Sequence, residues 1–218
     1  MKETPPTTDQ APRGTFDPVA HKYRIDGIEA FSVTEVLADN DLIDTRWFDE
    51  KSRSRGAAVH VACEYLDTPG GLDMATLHPE LHGYVKSWET FKLRFGVEIL
   101  SVEQRVWDYG RGLGGTYDNM ARFSGRIWLL DRKTVGSAKG TAPFWARYQT
   151  AAYAVNLPGI EPHDIYRCAI VLMPDGSLPK VKEYDEASDY PDFLDMLNTS
   201  QIKRRHHRGI KYAGRIDD

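Results

Sequence analysis

Apolar positions change period along the chain, and the change divides it into regions. Leu81, Tyr84, Val85, Trp88, Phe91 and Phe95 recur at three- and four-residue intervals. They predict a helix that begins after Pro79 and stops at Gly96. An earlier helix is predicted from near Arg53 to Leu66, ended by Pro69-Gly70-Gly71. From residue 97 the pattern is that of strands. Residues 97–109, 113–123 and 126–135 form a predicted three-stranded meander, joined by Gly110-Arg111-Gly112 and Ser124-Gly125. Residues 141–157 read as a helix capped by Thr141 with Pro143 in its first turn. A hairpin follows, 165–173 against 178–184, around Pro174-Asp175-Gly176, and a last helix starts near Pro191.

Before the first long helix, 21–25 and 28–31 flank Asp26-Gly27 as a hairpin, and Ser32 with Glu35 makes a capping box for a short helix. Residues 1 to about 15, rich in Thr and Pro, are expected to be disordered. Neither a repeat nor a linker divides the remainder, so 16–218 is expected to form a single α/β domain with a mixed sheet flanked by helices.

Composition narrows the class. With 41% apolar and 11% aromatic residues, a chain of 218 can bury one substantial core. No run approaches the roughly 18 apolar residues of a membrane span, and no leader resembles a signal peptide. The expectation is a cytoplasmic protein with no membrane partner. Cys63 and Cys168 lie in apolar stretches and read as core residues, which excludes a disulfide framework and the four thiolates of an iron–sulfur cluster. A net charge of −4 argues against indiscriminate coating of nucleic acid, yet permits a short stretch held in a locally basic groove. Lys203, Arg204, Arg205, His206, His207, Arg208, Lys211 and Arg215 cluster near the C-terminus, either as a solvated helix end or as phosphate contacts.

Chemistry concentrates on the meander. Asp131 and Lys133, two apart on a strand, emerge on one face after the buried run Ile127-Trp128-Leu129-Leu130. The Ser124-Gly125 turn folds Gly115-Thr116-Tyr117-Asp118 back beside them, so Asp118 and Asp131 can approach across adjacent strands. Like charges there need a neutraliser: a divalent cation such as Mg²⁺, or Lys133 bridging both. Gln149 and Tyr153 lie four apart on one helical face, His60 sits on the earlier helix and Glu103 on the first meander strand. Arg53, Arg55, Lys139 and Arg147 lie close to these positions in sequence, as ordinary surface charge or as candidate substrate contacts.

In this order, His60, Glu103, Gly115-x-x-Asp118, Asp131-x-Lys133 and Gln149-x-x-x-Tyr153 resemble the PD-(D/E)XK nuclease superfamily, in its RecB-like and lambda-exonuclease-like branch. The resemblance covers about residues 50–175. Tyr117 stands where the family name has Pro, and the lack of four cysteines excludes the iron–sulfur members. The resemblance implies a restriction-endonuclease-like core and Mg²⁺ or Mn²⁺ held by His60, Asp118, Asp131 and the Arg132 carbonyl, with Glu103 serving a second ion. It implies that Lys133 activates water and that Gln149 and Tyr153 hold the substrate or brace the site. The implied activity is DNA hydrolysis, as an exonuclease of recombination, repair or phage DNA processing, with a recombination or single-strand-binding protein as partner. The rival readings are an endonuclease of the same fold, a DNA-binding module that does not cut, and a partner-binding protein whose acid–lysine set is a salt-bridge network.

Overall fold

The computed structural model describes residues 13–43, 50–137 and 139–213. Its chain order is β1 (Gly14–Asp17), β2 (Lys22–Ile25), β3 (Ile28–Glu29), β4 (Phe31–Ser32), α1 (Val33–Asp39), α2 (Glu50–Asp67) and α3 (Pro79–Phe95), then β5 (Glu98–Asp108), β6 (Leu113–Phe123), β7 (Arg126–Thr134), α4 (Ala146–Ala154), β8 (Ile165–Leu172), β9 (Lys180–Tyr184) and α5 (Asp189–Ala213). This is a mixed α/β arrangement. The start of the segment expected to be disordered lies outside the described residues, but Gly14 and Thr15 already pair with β2. Arg215 and the side chains of His207, Arg208 and Lys211 also lie outside them.

Local chemistry sets most boundaries. Asp26 and Gly27 both adopt positive φ, 50° and 77°, as a tight hairpin turn requires. Ser32 and Glu35 make the reciprocal capping box that starts α1. Gly96, at φ 59° and ψ 45°, ends α3 in the left-handed conformation. The helix expected from Thr141 begins only at Ala146, and its cap position, Trp145, makes no side-chain cap bond. Pro143 disfavours helical geometry at Ala142, so the predicted first turn stays open.

The main sheet runs β4-β6-β7-β8-β9, with β5 also paired to β6. The β5-β6-β7 meander is antiparallel, β8 returns parallel to β7 through α4, and β9 closes the predicted hairpin. β5 follows β6 along nearly its whole length, so β4 and β7 share the other edge of β6. β4 pairs with Leu113 and Gly114, and β7 with Asn119 to Phe123. Residues 115–118 are left between these two ladders.

Helices cover both faces. α1, α4 and α5 bury Val36, Leu37, Tyr153, Phe193 and Leu197 against Leu113 and Leu129. α2 and α3 bury Val59, Cys63, Val85, Trp88 and Phe91 against Leu130, Ile170 and Leu172. Alternation along β7 thus sends Leu129 to one layer and Leu130 to the other. Both cysteines are buried and free, as expected. Among the described residues, no helix is long and apolar enough to cross a membrane.

Candidate active site

The gap on β6 is where the polar groups gather. Past Asn119–Leu130 the β6–β7 ladder ends, and the Arg132 backbone N–H donates 2.6 Å to Asp118 Oδ2. The other oxygen, Oδ1, faces His60 Nδ1 at 3.4 Å. Glu103 lies opposite on β5, between the pairs Val102–Asn119 and Gln104–Tyr117. Its φ of 47° is a conformation that costs a non-glycine residue about 1–3 kcal/mol, and such strain clusters at functional sites. One donor atom each from His60, Glu103 and Asp118 lie within 4.8 Å of one another.

Strand parity explains which residues join this group. Asp131 and Lys133 point to the α4 layer, where Lys133 Nζ sits 2.9 and 2.8 Å from the two Asp131 oxygens and donates 2.9 Å to Gln149 Oε1. Gln149 Nε2 donates in turn to Tyr153 Oη at 3.2 Å. Arg132, between them in sequence, points to the α2–α3 layer and is fully buried. Asp131 therefore stands outside the group of three, facing Lys133, and Glu103 joins the same cluster as Asp118 instead of forming a separate one. Gly115 permits the close approach of α4: a Cβ there would lie 2.5 Å from Tyr153 Cε1.

Electrostatics follow from crowding. Burial alone would raise the Asp118 carboxyl, but His60, Arg132 and Lys133 reverse this and hold it well below the usual range. Burial, then the Asp118 charge, push Glu103 up to about 7. Burial dominates at Asp131 as well; Lys133 opposes it and Asp118 adds to it, leaving the group at about 6. Burial would lower His60, yet the Asp118 carboxylate carries it above its ordinary value.

Three contributors escape a reading of the sequence. The Asp67 side chain is fully buried and accepts from Trp88 Nε1 at 2.9 Å, Lys92 Nζ at 2.5 Å and Asn119 Nδ2 at 3.1 Å, with Arg132 Nη1 3.6 Å away. It lies seven residues after His60, so two helical turns place both on one face of α2. The Arg132 guanidinium donates 3.0 Å to Glu103 Oε1. Trp145, one turn before Gln149, carries Lys133 Nζ over its ring at 4.6 Å. A cleft of about 510 Å³ opens here, lined by His60, Lys133, Trp145, Pro143 and the exposed Arg53. Arg55 sits beside it near Ser52 and Tyr84, and Lys139 is exposed on the segment after β7. Arg147 is engaged elsewhere, 2.5 Å from Asp189 at the start of α5.

The donor set suits a divalent cation. Glu103 and Asp118 each offer a carboxylate oxygen to the same point as His60. Two carboxylate oxygens and an imidazole nitrogen thus converge within 4.8 Å, and carboxylate ligands favour ions such as Mg²⁺ and Mn²⁺.

No protein-family model and no curated protein matches the sequence. Among solved structures the chain is similar to SSO0001, with 13% identity, TM-score 0.43 and coverage of 79% of this chain and 75% of that one. It is also similar to an alkaline exonuclease, LHK-Exo, from Laribacter hongkongensis, with 12% identity, TM-score 0.31 and coverage of 84% and 94%. For LHK-Exo in complex with dAMP the identity is 13% and the TM-score 0.34, over the same shares. Likeness at this level assigns neither family nor activity.

Proposed function

We propose that this chain is a divalent-metal-dependent nuclease that hydrolyses DNA, acting as an exonuclease, with Mg²⁺ or Mn²⁺ held by His60, Glu103 and Asp118. The observation that carries the reading is the convergence of these three donors, within 4.8 Å, where β6 is paired on its β5 side alone, next to the cleft that His60 and Lys133 line. Bound there, the cation would polarise a phosphodiester and lower the pKa of a water. Asp118 is suited to hold it because its carboxyl stays ionised at neutral pH. Lys133 is anchored by Asp131 and Gln149, so its ammonium is positioned before substrate arrives. A preorganised positive charge of this kind stabilises the charge that builds on phosphate in the transition state. In this reading Asp131 orients Lys133, a departure from the ligand role that the family resemblance implies. Arg53, on the cleft wall, is the cation best situated to guide a DNA backbone. A recombination or single-strand-binding protein remains the proposed partner, and a bacterial cytoplasm, in a phage or prophage setting, the proposed location.

The test is incubation with end-labelled linear DNA and closed circular DNA, in Mg²⁺, in Mn²⁺ and in chelator. The expected result is loss of label from linear DNA with metal, intact circles and no reaction in chelator. Cut circles would convert the reading to an endonuclease, and inert linear DNA with metal would overturn hydrolysis altogether.

A further inference from the structure

We propose that the Arg132 guanidinium is a built-in counter-cation that limits this centre to one divalent cation per chain, an inference that rests on the metal-dependent reading above. Two-metal sites hold their ions about 3.5–4 Å apart, clamping both the attacking and the leaving oxygens. A second ion at that spacing would have to share Glu103 or Asp118 with the first. Both carboxylates also face the Arg132 guanidinium. Asp118 Oδ2 lies 3.8 Å from Arg132 Nε, while Oδ1 is on the His60 side. Glu103 is divided in the same way, with Oε1 bound by Arg132 Nη2 at 3.0 Å.

The guanidinium cannot easily leave. It is fully buried, its centre lies 5.7 Å from the Trp88 ring, and Asp67 stands behind it. Its Nε and Nη1 are buried without hydrogen-bond partners, so what holds it there is charge: Asp67, Glu103 and Asp118 on its several sides. A fixed cation between Glu103 and Asp118 neutralises the carboxylate edges that a second ion would need, and like charge repels that ion. Arg132 is thereby a positioning residue. It fixes Glu103 and Asp118 with one oxygen each toward His60.

The experiment counts Mn²⁺ bound per chain, by calorimetry and by the electron paramagnetic resonance of free Mn²⁺, on wild type, on Arg132→Lys and on the charge-balanced double variant Asp67→Asn with Arg132→Met. The expected counts are one for wild type, one for Arg132→Lys, which keeps the charge, and two for the double variant. Two ions on wild type would overturn the proposal while leaving the metal-dependent reading intact. A count of one on a folded double variant would overturn it as well. No ion on wild type would overturn that reading and this proposal with it. The wild-type count decides the matter even if the double variant fails to fold.

Discussion

Replacing Lys133 with Met removes the ammonium and keeps the aliphatic stem, so it isolates the charge. Lys133 Nζ touches both Asp131 oxygens and Gln149, and Asp131 is only 3% exposed. Without its cation, Asp131 must remain protonated to stay buried. Its folded pKa of about 6 already exceeds that of an unfolded aspartate, about 3.9, and the substitution raises it further. A raised carboxyl contributes stability at low pH that is lost as pH rises. At pH 5.5 both proteins carry the proton when folded, so the variant loses little through this group. At pH 8, two units above about 6, the added cost approaches about 3 kcal/mol at 1.36 kcal/mol per unit. For a chain of this size that is a fall in Tm of about 5–12 °C, measured in chelator. Turnover of end-labelled linear DNA at saturating Mg²⁺ should fall by about 10²–10³, as expected for one preorganised charge. Near-normal turnover would refute the role assigned to Lys133. A Tm loss equal at both pH values would refute its pairing with Asp131.

Gly115→Ala should destabilise by about 1–3 kcal/mol, because the new Cβ would sit 2.5 Å from Tyr153 Cε1; thermal melts check this, and an unchanged Tm would show that α4 does not press on β6 here. His60→Ala should weaken Mn²⁺ binding by about 10–100-fold in calorimetric titration, whereas a purely structural histidine would leave affinity unchanged. Metal-free protein should lose stability as pH rises from about 4.5 through about 7. His60, Glu103 and Asp131 all hold protons more tightly when folded, while the opposite contribution of Asp118 is lost only below the ordinary carboxylate range. Melting curves in chelator across pH 5–8 should show this fall and Mn²⁺ should relieve it; a Tm that rises across that window would contradict it.

The parts legible in the sequence are those governed by local chemistry. Ser124 and Gly125 take positive φ, 51° and 71°, and their turn places Asp118 alongside the end of β7 as their spacing predicts. Period two puts Asp131 and Lys133 on one face, and the structure joins them. What stayed hidden depends on distant partners. Nothing adjacent in sequence marks the Arg132 side chain as a buried charge, yet Asp67 and Glu103 meet it in the interior. β4 is two residues long and carries no period, so its parallel pairing with β6, which bounds the gap at 115–118, has no signal of its own. The left-handed Glu103 is likewise invisible, because its residue type argues against that conformation.

The central claim, that a cation at His60, Glu103 and Asp118 performs hydrolysis of DNA, is tested most directly by Asp118→Asn. This change keeps the shape and an oxygen to accept the Arg132 N–H but removes the ligand charge. Single-turnover release of end label from linear DNA is measured for both proteins in Mg²⁺ and in chelator, with circular dichroism confirming that each is folded. The account predicts release by wild type in Mg²⁺ alone and none by folded Asp118→Asn. Release by Asp118→Asn at the wild-type rate, or by wild type in chelator, would contradict it.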